Sequence, residues 1–416
     1  MRSPRANDLL NEKMRTGSIK APRKRLRVAG LFAGIGGFEL GLHRAGHTAS
    51  LLCELDRRAL AVLRTHFPKA SFHDDIRTLK NLRDIDLVAA GFPCQDLSQA
   101  GRMLGMNGTH SIMVSHVFRL LKRASVPWVV LENVPFMLQL GKGHALEYVV
   151  GQLERLGYWW AYRVVDARCF GIPQRRERVF LVAALDADPR SVLFCGNEQP
   201  VDEILPADQM AYGFYWTEGT QGLGWARNAV PTLKAGSNIG IPSPPAVWLP
   251  NGSFVLPEIR DAERLQGFPP DWTLPAQSTA SRGIRWKLIG NAVNVEVASW
   301  LGERLLLLDG VSDDPGKPIA NAKSWPNCAW NCGNGRRTTV LSTWPVMQRN
   351  KPLATFFAYP PKMLSSRATS GFLSRFRVSS LAKPTGMIIA LTEHLKRMND
   401  GGYEQTASKE ARIARA

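Results

Sequence analysis

The chain reads as an α/β protein: a mixed, mostly parallel sheet with helices on both faces, plus a second, small irregular domain. Two observations predict this. From Leu26 to about Phe180, short apolar runs alternate with segments of helical spacing, as strand–helix units do. From about Ala184 to Pro257 that rhythm stops, and Trp, Tyr, Gly and Pro crowd into short runs. The 416 residues, 44% of them apolar, suffice for one large core and a smaller one. The expected divisions are a basic arm (1–25), a large α/β domain (26–183), a small irregular domain (184–258), a segment with two further helices (259–311) and a C-terminal extension of unknown role (312–416).

Residues 1–25 are polar, end in Pro22-Arg23-Lys24-Arg25 and read as a flexible arm. Leu26–Phe32 reads as the first strand and Phe38–Ala45 as the following helix. Between them, Gly34-Ile35-Gly36-Gly37 makes a turn that lets a ligand approach the backbone and leaves helix-start N–H groups to meet it. Gly34-x-Gly36-x-x-Glu39 lacks the third glycine of a dinucleotide fingerprint, which disfavours a nicotinamide enzyme. Ser50–Cys53 is a second strand ending at Glu54, a carboxylate about 20 residues past the turn, where a ribose diol is held.

Asp86–Ala90 is a strand that delivers Gly91-Phe92-Pro93-Cys94. The cysteine therefore faces the crevice at the carboxyl ends of the strands, on backbone that Pro93 restricts. Gln95–Ser111 is a glycine-punctuated loop able to move. Ile112–Arg123 and Ala145–Leu156 have helical spacing. Trp128–Leu131 is a strand that delivers Glu132, and Trp159–Val165 is another. Gln174-Arg175-Arg176-Glu177-Arg178 leads into a further strand; if the strand begins there, alternation puts Arg176 and Arg178 on one face. Arg260–Pro269 is a short helix closed by Gly267, and Gly290-Asn291-Ala292-Val293 opens a helix reaching about Leu308. Beyond 312, Trp325, Trp330, Trp344 and a helical-looking Met387–Met398 point to partial order.

A net charge of +18 implies a polyanionic partner, most often nucleic acid. Six cysteines without framework spacing, and no signal or long apolar run, imply a reducing intracellular compartment with no membrane role. Cys328 and Cys332 read as structural rather than as half of a metal site, and no metal is expected.

Glycine turn, strand-end cysteine, Glu132-Asn133-Val134 and the arginine cluster, in that order along residues 26–308, resemble the bacterial DNA (cytosine-5)-methyltransferase family. The resemblance implies a Rossmann-like domain binding S-adenosylmethionine through Phe32, Gly34, Ile35, Gly37, Glu54, Leu55, Asp75, Ile76, Pro93, Asn291 and Val293. Asp74, beside Asp75, leaves that acidic position open by one residue. It implies catalysis by Cys94, Glu132, Arg176 and Arg178. Gln95, Ser98, Gly101 and Arg102 would close over DNA, and Pro231-Thr232-Leu233-Lys234 would end the target-recognition domain, with Thr232 and Leu233 at the DNA. Ala100 stands where the family commonly has serine, and Thr109-His110-Ser111 replaces an arginine-containing segment.

The expected substrate is duplex DNA, bound by a monomer in the cytoplasm at the nucleoid, with a cognate restriction endonuclease as a candidate partner. Two rivals remain at this point. A tRNA methyltransferase on the same fold usually carries a Cys-Phe-Thr tripeptide that is absent here, and a catalytically silent DNA-binding regulator would not need Cys94, Glu132 and Arg178 together.

Overall fold

The structure, a computed structural model, describes residues 24–93, 113–200, 205–206, 209–220, 222–236, 244–279, 283–308, 314–319, 324–349 and 351–400. The chain divides into two compact units. The first comprises residues 1–170, 177–200 and 292–348, and the second 171–176, 201–291 and 349–416.

The first unit is built on β1 (Arg27–Leu31), β2 (Thr48–Cys53), β3 (Ser71–His73), β4 (Leu87–Gly91), β5 (Trp128–Asn133), β6 (Trp159–Asp166) and β7 (Glu177–Ala184). They order as β6-β7-β5-β4-β1-β2-β3. The half from β5 to β3 is parallel, and β7 runs antiparallel to both β5 and β6. Helices α1 (Gly37–Arg44), α2 (Arg57–His66), α3 (Met113–Arg123) and α4 (His144–Arg155) supply the crossovers. Strand alternation sorts the side chains. Val88, Ala90, Val129 and Leu131 join Val117, Leu121 and Val149 on one face, while Leu87, Ala89 and Val130 join Phe38, Leu42 and Leu301 on the other. Both faces of these strands are buried, which is why they read as near-continuous apolar runs.

The sheet does not end at β6. Cys328–Asn331 pairs antiparallel with β6, and Arg337–Thr338 and Lys317–Pro318 follow, making ten strands. Trp325 packs edge-on against Trp160 and Tyr162 at this end.

Gly290-Asn291-Ala292-Val293 does not open a helix as expected. Ile284–Asn291 is a helix that ends there, and a second one, Val295–Leu307, starts afresh because the Asn294 side chain accepts from the N–H groups of Glu296 and Val297. Val295–Leu307 lies hard against α1: a Cβ on Gly41 would sit 2.5 Å from the Val295 carbonyl oxygen, and one on Gly37 2.3 Å from that of Val293.

The second unit has a five-stranded sheet in the order 226–227, 212–214, 246–248, 254–256, 362–363. The residues after 312, set apart in the sequence as one extension, are shared between the units. The helices Ser366–Val378 and Met387–Asn399 put Phe372, Leu373, Phe376, Met387 and Leu391 into one core with Phe214, Ala246 and Phe254. Asp261, fully buried on the short helix Ile259–Leu265, accepts from the N–H groups of Ala358 and Tyr359 at 3.0 Å each. The second unit is thus assembled from three separate stretches of chain.

Gly37→Ala is expected to lower stability by about 1–3 kcal/mol through this overpacking. Gly151→Ala on α4, where a Cβ meets nothing within 4 Å, should raise it by about 0.5–1 kcal/mol. Thermal unfolding of the two variants checks the pair, and equal shifts would contradict the close approach.

Candidate active site

In the parallel half of the sheet, β3, β2, β1, β4 and β5 all end on the same edge, where open α/β sheets bind ligands. The β1 end carries the glycine turn. Phe32 has φ +56°, rare for a bulky residue, and Gly34 has φ +56°; a Cβ on Gly34 would meet nothing within 4 Å. Ile35 is buried. The β2 end brings Glu54 under this turn: its Oε2 accepts from the Gly34 N–H and its Oε1 from the Asp56 N–H, both at 2.8 Å. Burial raises the Glu54 pKa, and the two backbone donors oppose that shift. Leu55 beside it is 60% exposed. Past β3, Ile76 is buried and Asp75 is held by the N–H and guanidinium of Arg77, which depress its pKa. Asp74 points outward toward Arg64, so Asp75 is the anchored carboxylate of the two.

The β4 end leads into the cysteine. Gly91 lies opposite Glu132 in register, and a Cβ on it would sit 3.3 Å from Glu132 Oε2 and 3.4 Å from Val293 Cγ2. Asn133 Nδ2 donates to the Phe92 carbonyl at 3.0 Å, tying the two strand ends together. Pro93 is the last residue described before the cysteine; Cys94, Gln95, Ser98, Gly101 and Arg102 lie outside the described residues. Arg178 Nε donates to Glu132 Oε1 at 3.0 Å, with both side chains nearly buried. The antiparallel pairing of β5 with β7 sets this contact.

Arg176 does not share a strand face with Arg178, because β7 starts at Glu177. In the second unit, the buried Arg176 guanidinium instead donates to the carbonyls of Leu233 and Gly290 at 3.3 Å each. The expectation that Leu233 meets DNA is corrected as well. It is 2% exposed, its N–H is taken by Gln174 Oε1, and its carbonyl by Arg176. The Thr232 hydroxyl donates to the Arg175 carbonyl. Asn291 is an exposed residue of the second unit, and the buried Val293 belongs to the first. Asn133 was named in the sequence only as part of a motif; its bond to Phe92 follows from strand register, which sequence alone does not give.

Glu39 on α1 was singled out only as a spacing mark. It is 2% exposed, packs over Gly30 of β1, and its Oε2 has no hydrogen-bond partner among the described residues. Burial pushes its pKa up to about 8, and the Glu54 charge adds to the shift.

The residues at this edge fit an adenosyl cofactor: an open glycine cradle, a carboxylate fixed beneath it and an exposed apolar side chain next to that carboxylate. No cluster of His, Cys, Asp and Glu able to hold a metal ion occurs among the described residues.

Comparisons with known proteins agree with this geometry. The family model for C-5 cytosine-specific DNA methylase matches residues 26–209. The chain is 47% identical over 363 residues to Type II methyltransferase M2.BsuMI of Bacillus subtilis, covering 84% of this chain and 93% of that protein. It is 30% identical over 286 residues to Type II methyltransferase M.NgoBI of Neisseria gonorrhoeae, covering 64% and 89%. Among solved structures, the S. pombe Dnmt2 methyltransferase shares the fold at a TM-score of 0.51 and 19% identity, over 68% of this chain and 98% of that one.

Between the ordinary Glu pKa of 4.5 and about 8, the folded chain holds a proton on Glu39 that the unfolded chain lacks. Stability therefore falls as pH rises through that window, by up to about 1.4 kcal/mol per pH unit. Glu39→Gln should flatten this dependence. Urea midpoints across the window measure it, and an unchanged slope in the variant would contradict the neutral carboxyl.

Proposed function

Because the chain belongs to the C-5 cytosine-specific DNA methylase family and is a DNA cytosine-5 methyltransferase, we propose that it everts a cytosine from duplex DNA, bonds Cys94 to C6 and methylates C5. The observation carrying this reading is the Glu132–Arg178 pair, held at 3.0 Å beside the strand end that leads through Pro93 into Cys94.

The C5 of cytosine is a weak nucleophile. Addition of the Cys94 thiolate to C6 turns the ring into an enamine and concentrates electron density on C5. As sulfur adds, negative charge moves toward N3, and Glu132 meets it by donating or sharing a proton there. Arg178 engages Oε1 and so fixes the plane of the carboxyl, with Oε2 turned toward Gly91; its guanidinium also suits the O2 side of the base. Arg176 holds the carbonyls of Leu233 and Gly290 within the second unit.

S-adenosylmethionine, the methyl donor of the family, supplies an electrophilic methyl group when bound. Phe32, Gly34, Ile35 and Gly37 would shape its cradle, Glu54 would hold the ribose hydroxyls, and Leu55, Asp75 and Ile76 would hold the adenine. Pro93 and Val293 would complete the pocket on the first unit. After methylation a base, water being sufficient, removes the C5 proton; the C5–C6 double bond re-forms and the Cys94 thiolate leaves.

A stacked cytosine hides C6, so eversion is required, at roughly a few kcal/mol. Closure of the segment containing Gln95, Ser98, Gly101 and Arg102 offsets that cost, and the +18 charge supplies the non-specific attraction to phosphates. The Type II names of the relatives favour a modification enzyme paired with a nuclease of the same specificity.

Cys94→Ala should lose methyl transfer to duplex DNA while keeping cofactor affinity by calorimetry. Glu132→Gln should lower kcat by about 10²–10⁴-fold. A Cys94→Ala enzyme working at the wild-type rate would defeat the mechanism.

A further inference from the structure

The second unit carries a surface with an unusual charge balance. From Arg349 to Thr392 there are seven Lys and Arg and no Asp or Glu. On the helix Ser366–Val378 the buried residues Thr369, Phe372, Leu373 and Phe376 face the core. Arg367, Ser370, Ser374 and Arg377 are exposed. At 3.6 residues per turn these four fall within an arc of about 80° on the side away from the core, and the two arginines are separated by about 15 Å along the axis.

Some of the chain's other arginines are neutralised by an acid close by in sequence. Arg58, Arg77, Arg168, Arg190 and Arg260 each lie within 2.6–2.9 Å of a carboxylate two residues earlier. Arg367 and Arg377 make no ion pair among the described residues. Arg377 donates to the Thr392 hydroxyl, and the exposed Lys383 donates to the carbonyls of Ser379 and Leu381 and lies over the Phe376 ring. Arg375, by contrast, is committed to the carbonyls of Glu218 and Trp216 and serves the fold. Leaving two outward arginines unneutralised on a rigid helix, with two serine hydroxyls between them, suits an anionic backbone, because guanidinium and hydroxyl groups are phosphate donors and small side chains allow close approach.

We propose that the outer face of Ser366–Val378 is a DNA-backbone contact surface of the recognition unit, with Arg367 and Arg377 on phosphates and Ser370 and Ser374 bonding between them. This rests on the DNA-methylating reading above and adds to it a surface outside the span from glycine turn to returning helix. Phosphate contacts position a protein without reading bases, so the face contributes affinity and register, and sequence choice lies elsewhere.

The test is the salt dependence of duplex binding by the full-length protein, followed by fluorescence anisotropy, together with methylation kinetics. Arg367→Ser/Arg377→Ser should reduce the slope of log K against log salt by about 2, since each lost phosphate contact removes about 0.9. It should raise KM for DNA and leave kcat at saturating DNA unchanged. Arg367→Lys/Arg377→Lys, which keeps both charges, should restore the slope. Arg83→Ser/Arg155→Ser, which removes two exposed charges from the first unit, controls for net charge, and melting curves confirm that each variant is folded. A double-serine variant at 367 and 377 with the slope of this control, in a protein that still methylates DNA, would overturn the surface and leave the catalytic reading intact. Wild-type protein that neither binds nor methylates duplex DNA would overturn both.

Discussion

The catalytic edge depends on the register between β4 and β5. With Gly91 opposite Glu132, the carboxyl stands beside the strand end that runs into Cys94, and the Asn133 amide fixes the Phe92 carbonyl one residue later. A slip of one residue would turn every side chain to the other face and send Glu132 into the core. Apolar burial on both sides of these strands makes such a slip costly, so the geometry of the site is enforced by the core beneath it. Gly91 belongs to the same constraint, because a side chain there would press on both Glu132 and Val293.

A second constraint joins the start of the fold to its late segment. The chain returns after 291 and lays Val295–Leu307 against α1 at a separation that only Gly37 and Gly41 allow. The glycine turn therefore answers two demands at once: an open backbone toward ligand and a close seat for the returning helix. Glu39 is buried over Gly30, and burial raises its pKa. Its Oε2, without a hydrogen-bond partner among the described residues, is a cost to stability close to the glycine turn.

Much of this was legible in the sequence because it is local. Apolar runs ending at Glu54, Pro93 and Glu132 predict strand ends, and strand ends in an open sheet predict a common edge. What was not legible is non-local. Nothing near Trp330 announces that it will extend a sheet whose neighbouring strand begins at Trp159, and nothing near Phe372 says that it shares a core with Phe214. Arg176 and Arg178 look alike in sequence, yet the strand start at Glu177 separates a carbonyl-binding brace from a carboxylate partner. The non-helical stretch 292–294, closed by the Asn294 cap, likewise splits what reads as one helix.

The central claim is a transient bond between one sulfur and one base carbon. It is tested most directly with duplex DNA amplified so that every cytosine in it is 5-fluorocytosine, incubated with the enzyme and S-adenosylmethionine and then denatured. Fluorine cannot leave C5 as a proton does, so the account predicts a denaturant-stable protein–DNA complex whose peptide map places the linkage at Cys94. An enzyme that methylates ordinary DNA but forms no covalent complex on the fluorinated duplex would contradict it.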